Sequence, residues 1–492
     1  MKLAKPLSYL TLLLVLAPNL CFGQERPNIL LIVADDMGYG DLSCYGSLQI
    51  QTPNLDSLAE NGVRFTNGYV SSSVCSPSRA GLITGRSGSR FGYEHNLHLA
   101  QEHTQPEFIG IPLDEPLLSE RLKTLGYRTG LVGKWHLGES VPEHHPNERG
   151  FDYFFGMLNG SHNYWPTLKK NRLLRNNQKL ERIATPYLTD WFTLEAKSFI
   201  RDSAKEENPW FLFLSYNTPH SPMQAKEEDI AKYAHIKNEK RRIYCAMQHC
   251  MDANIGTIVD ELKETGQLEN TLIAFISDNG GSIEVSHAVN APLRGGKGTF
   301  FEGGIRIPTI YHWPAALKPS IYEHPVTSLD LMATFVSAAG GTPPPPGKRQ
   351  EREGREKKGR PIYDSVNLLP FLTGKTEGPP HETLFWRMAL RGSAVRDGSW
   401  KLLRANNLLP RLFDLSVDVG ESNNLIEKHP EIAERLLAKL NSWEATLERN
   451  PVVISTPNWS AYNRRLYERT YSLTQPKPEH EKDIWSLKAN RN

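Results

Sequence analysis

Four stretches of the chain are apolar at consecutive positions, with neither the alternation of a half-buried strand nor the three-to-four spacing of a helix. They are Asn28 to Ala34 (NILLIVA), Gly130 to Val132, Trp210 to Ser215 (WFLFLS) and Thr271 to Ser277 (TLIAFIS). Short runs of this kind, rich in β-branched and aromatic residues, read as strands buried on both faces of a parallel sheet. Helical patterns lie between them, for example Leu117 to Leu125 and Tyr244 to Glu264. Strands alternating with helices predict an α/β fold: a mostly parallel sheet sandwiched by helices.

The pattern changes after about Pro380. Ser393 to Leu403 and Arg411 to Leu415 read as short antiparallel strands around a turn at Asp397-Gly398. Pro430 to Leu447 reads as an amphipathic helix, with Ile432, Leu436, Leu437, Leu440 and Trp443 on its apolar face. The chain has 492 residues, more than one ordinary core accommodates. The expected division is a large α/β domain over 24–375, a smaller α+β domain over 376–470 and a surface tail over 471–492. From Gly340 to Lys358 the chain carries no bulky apolar residue and reads as a solvated loop or a disordered segment. No internal repeat is present.

The first 23 residues stand apart. Lys2 and Lys5 precede an apolar run from Leu10 to Ala17, and Cys21 and Gly23 occupy positions suited to cleavage before Gln24. This predicts a secretory signal peptide and a secreted or periplasmic protein. No later run is apolar enough to span a bilayer. Without Lys2 and Lys5, basic and acidic residues balance, which excludes nucleic acid as a partner held by bulk charge. The remaining cysteines are Cys44, Cys75, Cys245 and Cys250, too few for a disulfide framework. Cys44, Cys245 and Cys250 read as small buried hydrophobes.

The chemistry gathers where strands end. Asp35-Asp36 follows the first apolar run and Asp278-Asn279 the last, so both pairs sit at the carboxyl edge of the sheet. Their oxygen donors favour calcium or magnesium over zinc. In Cys75-Ser76-Pro77-Ser78-Arg79, Pro77 suits the first turn of a helix, which puts Cys75 at a helix N-terminus where an anion is stabilised. Arg79, four residues on, is expected on the same face. In Gly133-Lys134-Trp135-His136, an extended chain would put Lys134 and His136 on one face. Pro219 and Pro222 bracket His220, and the glycine-rich run around Lys297 reads as a flexible loop.

The run Cys75-Ser76-Pro77-Ser78-Arg79-Ala80-Gly81-Leu82-Ile83-Thr84-Gly85-Arg86 resembles the signature of the type I, formylglycine-dependent sulfatases, arylsulfatase-like and N-acetylgalactosamine-sulfatase-like. The resemblance extends from Pro27 to about Glu448, with the other motifs in order. It implies an alkaline-phosphatase-like α/β fold and hydrolysis of sulfate esters. It further implies that a maturation enzyme oxidises Cys75 to formylglycine. It assigns one calcium ion to Asp35, Asp36, Cys75, Asp278 and Asn279. It assigns catalysis to Cys75, Arg79, Lys134, His136, His220 and Lys297. By the same resemblance, Arg79 and Lys134 stabilise residue 75, and Lys134, His220 and Lys297 contact the sulfate. His220 or Lys297 protonates the leaving alcohol, and His136 assists release of sulfate.

Two other readings compete. One is a phosphonate or phosphodiester hydrolase of the same superfold. The other is an inactive protein that binds sulfated sugars. A sulfated saccharide is the expected substrate, with His95, His144, His145, His162, Trp165 and Arg294 as candidate pocket residues, because loops rich in aromatic residues and histidine often stack on sugar rings.

Overall fold

The computed structural model describes residues 26–97, 109–345, 362–389, 391–405, 408–447 and 467. The expected signal peptide, most of the segment from Gly340 to Lys358 and the expected tail lie outside the described residues.

The strands of the large sheet are Asn28–Ala34 (β1), Val63–Phe65 (β2), Arg128–Lys134 (β4), Tyr153–Met157 (β5), Leu174–Arg175 (β6), Gln178–Lys179 (β7), Trp210–Ser215 (β8), Thr271–Ser277 (β9), Thr309–His312 (β10) and Ser320–Tyr322 (β11). Gly68–Tyr69 (β3) pairs separately with Val326–Thr327 (β12). The ten strands lie in the order β11-β2-β10-β9-β1-β8-β4-β5-β6-β7. The centre, from β9 to β5, is parallel throughout. The four predicted runs are therefore four neighbouring strands, β9-β1-β8-β4.

Alternation along β1 explains why these strands are apolar without interruption. Ile29, Leu31 and Val33 enter the core on one face of the sheet, and Leu30, Ile32 and Ala34 enter the core on the other. Helices Cys75–Thr84, Leu118–Thr124 and Asp330–Ala338 cover the first face, and Pro53–Glu60, Leu188–Ser203 and Glu239–Glu264 cover the second. Among the described residues, no helix is long and apolar enough to cross a membrane.

The chain after Pro380 forms a four-stranded antiparallel sheet of Thr383–Met388 (β13), Gly392–Asp397 (β14), Trp400–Ala405 (β15) and Arg411–Asp414 (β16). Helix Pro430–Glu444 covers one face, packing Leu436 and Leu440 on Val395, Leu402 and Leu412. The opposite face carries Trp386, Ala394, Leu403 and Phe413 into the main core. The small sheet is thus an extension of the large unit, fastened to it by apolar packing and by the Trp386 indole N–H, which donates to the Val70 carbonyl at 2.7 Å.

Three local expectations are corrected. Cys44 is half-buried, its backbone N–H bonded to Asp56, whereas Cys245 and Cys250 are buried as expected. His136 has φ +58°, because the chain leaves the extended conformation after Lys134, where β4 ends; the two side chains converge through a turn, not along a strand. The loop carrying Lys297 is tied down: the Gly298 N–H donates to the Ser73 carbonyl at 2.8 Å and the Lys297 N–H to the Gly281 carbonyl at 3.2 Å.

Candidate active site

The carboxyl ends of β1, β4, β8 and β9 meet the N-terminus of helix Cys75–Thr84. Cys75 is 1% exposed and is the first residue of that helix. Its Sγ lies 3.5 Å from Asp35 Oδ1, 3.7 Å from Asp36 Oδ1 and 3.2 Å from the Lys297 ammonium. Burial pushes the thiol far above its ordinary range, although Lys134 and Lys297 pull it down. Burial thus disfavours the thiolate, the nucleophilic form of a cysteine.

Each carboxylate has its own cation. Lys134, fully buried, donates to Asp35 Oδ2 at 2.7 Å. Lys297 donates to Asp36 Oδ2 at 2.7 Å. Arg79 is 1% exposed; its Nε donates to Asp278 Oδ2 at 2.9 Å and its Nη1 to Ser215 Oγ at 2.6 Å. Burial opposes ionisation of Asp36, but Lys297 and His220 outweigh it and hold the group well below the usual carboxylate range. Asp278 moves the other way, to about 6, through burial and the neighbouring Asp35. Three cations thus face three largely buried carboxylates, where each unpaired charge would be costly.

Arg79 lies near enough to Cys75 for the two to interact, and its guanidinium is paired below the site. It shares the helix with Cys75 but is turned inward onto Asp278 and the Lys134 carbonyl, at 3.2 Å, and does not face the pocket. It holds the ends of β9 and β4 together under the site.

The Nε2 of His220 points at Asp36 Oδ2, 3.7 Å away. Its Nδ1 lies 2.7 Å from the Ser221 carbonyl, which fixes the N–H on that nitrogen and leaves Nε2 towards the site. Burial and the Lys297 charge lower its pKa to about 4. The loop is anchored by Tyr164, whose buried hydroxyl lies 2.5 Å from the Asn217 carbonyl and 2.9 Å from the His220 carbonyl. His136 is buried against Gly160, where a Cβ would stand 2.7 Å from the imidazole ring. Burial and Lys134 push its pKa well below the ordinary value.

Asp35, Asp36, Cys75 and His220 bring one potential ligand atom each to within 4.8 Å of one another. Asp278 and Asn279 flank this cluster. Asp278 Oδ1 accepts the Asp36 N–H at 3.1 Å, and the Asn279 amide donates to Asp36 Oδ1 at 2.7 Å. The structure thus brings Asp35, Asp36, Cys75, Lys134, His220, Asp278, Asn279 and Lys297 together at one edge of the sheet.

A cleft of about 270 Å³ opens from Cys75, His136 and His220 towards Asn96, Glu139 and Asn159. None of the six expected pocket residues lines it. His144 is buried, its ring against Gly110 and Gly138, and His145 packs edge-on against Phe154. The His162 ring bonds the Asn163 carbonyl, and the His95 ring bonds the Ala389 carbonyl. Trp165 is 41% exposed beside Tyr187. Arg294 lies over the Phe301 ring and donates to the Glu421 carbonyl. These residues shape loops, so loop composition alone was a poor guide to the pocket.

Sequence reasoning missed Ser215, Tyr164 and Glu139. Only Ser215 carried a signal: it closes the WFLFLS run at the same sheet edge as the acidic pairs, and its Oγ donates to the Lys134 carbonyl at 2.7 Å.

A mostly parallel α/β sheet with a buried polar nucleophile position, acidic pairs and paired cations at its carboxyl edge defines a hydrolase of anionic esters. The family model described as Sulfatase matches residues 27–341. N-acetylgalactosamine-6-sulfatase of Homo sapiens is 31% identical, covering 94% of this chain and 94% of its own. Arylsulfatase J of Mus musculus is 32% identical, covering 86% of this chain and 77% of its own. The solved structure of Ps i-CgsB superposes with a TM-score of 0.78 at 32% identity, covering 94% of this chain and 100% of that one. The chain belongs to the sulfatase family, and it is an enzyme that hydrolyses sulfate esters.

Proposed function

We propose that the substrate is a sulfated carbohydrate, that Cys75 is converted to formylglycine, and that one calcium ion is held by Asp35, Asp36, Asp278, Asn279 and residue 75. The observation that carries the reading is the placement of Cys75: buried at a helix N-terminus, among carboxylates, 3.2 Å from the Lys297 ammonium. Burial disfavours a thiolate there, whereas an oxygen nucleophile would meet hard ligands and cations. The carbohydrate part rests on relatives. One Ps i-CgsB structure holds k-i-k-neocarrahexaose, at a TM-score of 0.77 and 32% identity.

The residues present fit a divalent cation. Asn279 Oδ1 is buried with no hydrogen-bond partner among the described residues, an oxygen donor left over at the cluster. Without an ion the cations and carboxylates of the site balance; a divalent ion would make it cationic and suited to an anionic ester. When bound, calcium would polarise the sulfate oxygens and favour the deprotonated nucleophile. The hydrated aldehyde of formylglycine would supply two hydroxyl oxygens, one as a ligand and one to attack sulfur.

The remaining work falls to the chain's own side chains. Lys134 and Lys297 place ammonium groups beside residue 75, where charge develops on the sulfate oxygens. His220 presents Nε2 at the mouth of the site and serves as the proton donor to the leaving oxygen. Burial and the Lys297 charge keep Nε2 unprotonated in the free site, and a bound anion counters them by favouring the imidazolium. Lys297 is the second candidate donor. His136 stands on the opposite wall and assists release of sulfate. Arg79 holds Asp278 in place.

The test is sulfate release from a panel of sulfated oligosaccharides by matured enzyme, with mass spectrometry of the peptide containing residue 75. Aldehyde or hydrate at that position and release of inorganic sulfate are expected. Full activity with unmodified cysteine would refute the nucleophile. Preference for phosphonate esters over sulfate esters would favour the alternative hydrolase reading. Sugar binding without turnover would favour the inactive binder.

A further inference from the structure

Glu139 is the acidic side chain among the described residues that line the cleft. It is half-buried and has no hydrogen bond or ion pair with any described residue. Gly138, just before it, also lines the cleft; its φ of +136° and its packing against the His144 ring leave no room for a side chain there. Burial raises the Glu139 carboxyl, and Arg172 opposes the rise. Arg172 stands behind the same wall, its guanidinium held by Asn159 and not bonded to Glu139. With the Asn159 amide oriented to satisfy its neighbours, its oxygen accepts from Arg172 Nη1 at 3.1 Å and its nitrogen donates to the Ser161 carbonyl at 3.1 Å.

The cleft thus has two ends of different chemistry. One, around Cys75 and Lys297, suits the sulfate to be removed. The other carries the Glu139 carboxylate, the Asn159 amide and Ser161, whereas Asn96 accepts the Ser76 N–H at 2.9 Å beside Cys75. A carboxylate accepts hydrogen bonds and repels anions. The volume, about 270 Å³, is small for a ligand cleft and suits one ring better than a length of polymer.

Resting on the carbohydrate-sulfatase reading, we propose that Glu139 is a specificity-determining residue that accepts hydrogen bonds from hydroxyl groups of the sulfated ring, so that the enzyme selects rings whose only anionic group is the sulfate being removed and disfavours rings bearing a second sulfate or a carboxylate.

The test compares three substrates: a small aryl sulfate, a disaccharide whose terminal ring carries one sulfate, and the matched disaccharide with a second sulfate on that ring. Wild-type enzyme is expected to favour the monosulfated sugar over its disulfated partner. Glu139→Gln should narrow that preference by about tenfold or more, chiefly through KM, as expected for losing a charged hydrogen bond and a repulsion together. Glu139→Lys should invert it. Binding of the two sugars to Cys75→Ser protein, measured by calorimetry, should show the same order and the same change. An unaltered mono-to-disulfated ratio in both variants, or an equal loss on all three substrates, would overturn the assignment. Wild-type enzyme that turns over the aryl sulfate but neither sugar, and binds neither, would instead refute the carbohydrate reading.

Discussion

Residues of this site divide into those that carry charge balance and those that carry only chemistry. Lys134 is fully buried against Asp35, so Lys134→Met leaves that buried carboxylate with only the Arg79 guanidinium, at 3.9 Å. The expected cost is about 3–5 kcal/mol of stability together with loss of turnover. His220 stands on a loop at the mouth, and its ring has no buried charge to leave behind. His220→Ala should lower turnover by about 10² to 10⁴, while its melting temperature stays within a few degrees of wild type. Thermal melts beside sulfate-release kinetics make the comparison. Equal melting losses in the two variants would make His220 structural. Both residues stood out in the sequence through their motifs. The inward turn of Arg79 did not, because helical spacing states which side of a helix a residue occupies and not which partner takes its charge.

Among the elements, the small sheet shows how a unit with its own sequence pattern becomes part of a larger one. Lys401 on β15 is fully buried between Glu302, at 2.8 Å, and Glu421, at 2.9 Å. Glu302 also accepts from the Tyr69 hydroxyl at 2.6 Å, so the network crosses from the small sheet to the main body. Burial raises Glu421 to about 7, whereas Lys401, against the effect of burial, lowers Glu302 to about 2. Lys401→Met should destabilise the whole molecule by about 3–5 kcal/mol, because it strands buried Glu421 and leaves Glu302 to Arg306, at 3.4 Å, and Tyr69. A single cooperative melt displaced downward is expected; an unchanged melt would show the network to be dispensable.

A second tie between elements is sensitive to pH. His381, just before β13, sits 2.9 Å from both carboxylate oxygens of Asp330, at the start of helix Asp330–Ala338. Burial disfavours its charge, but Asp330 prevails and the pKa is raised above 6.5. A raised histidine contributes stability that is fully present below its unfolded value and is lost as pH rises through the folded value. Denaturation midpoints should therefore decline from about pH 6 into the alkaline range, and His381→Gln should flatten that decline. A variant with the wild-type slope would place the pH dependence elsewhere.

At the scale of the whole molecule, stability and activity are expected to share one ion. Chelation should remove activity and lower the melting temperature together, and calcium should restore both. A ligand at a hundred times its Kd adds about 2.7 kcal/mol to the folded state. Restoration by zinc but not by calcium would contradict the oxygen-ligand reading. Truncation after residue 375 should yield no soluble folded protein, since it exposes the main-core surface that now meets Trp386 and Leu403.

The sequence by itself determined the parallel centre of the sheet, because strands buried on two faces must be apolar without a break. It also pointed to the residues that gather at one edge of the sheet. Asp35, Asp36, Cys75, Lys134, His220, Asp278 and Lys297 lie in short motifs at strand ends and at a helix start, and these local positions lead to one edge of an α/β sheet. Only the tertiary structure decided which charge pairs with which, because partners such as Arg79 and Asp278 are 199 residues apart. It decided that the small sheet is docked, since the second apolar face of β14 and β15 finds its cover in the main core. It also decided the pocket. His144 and Arg294 look like ligand-binding residues in a loop and are structural once buried. Glu139 looks like an ordinary surface acid until the fold sets it among the residues that line the cleft.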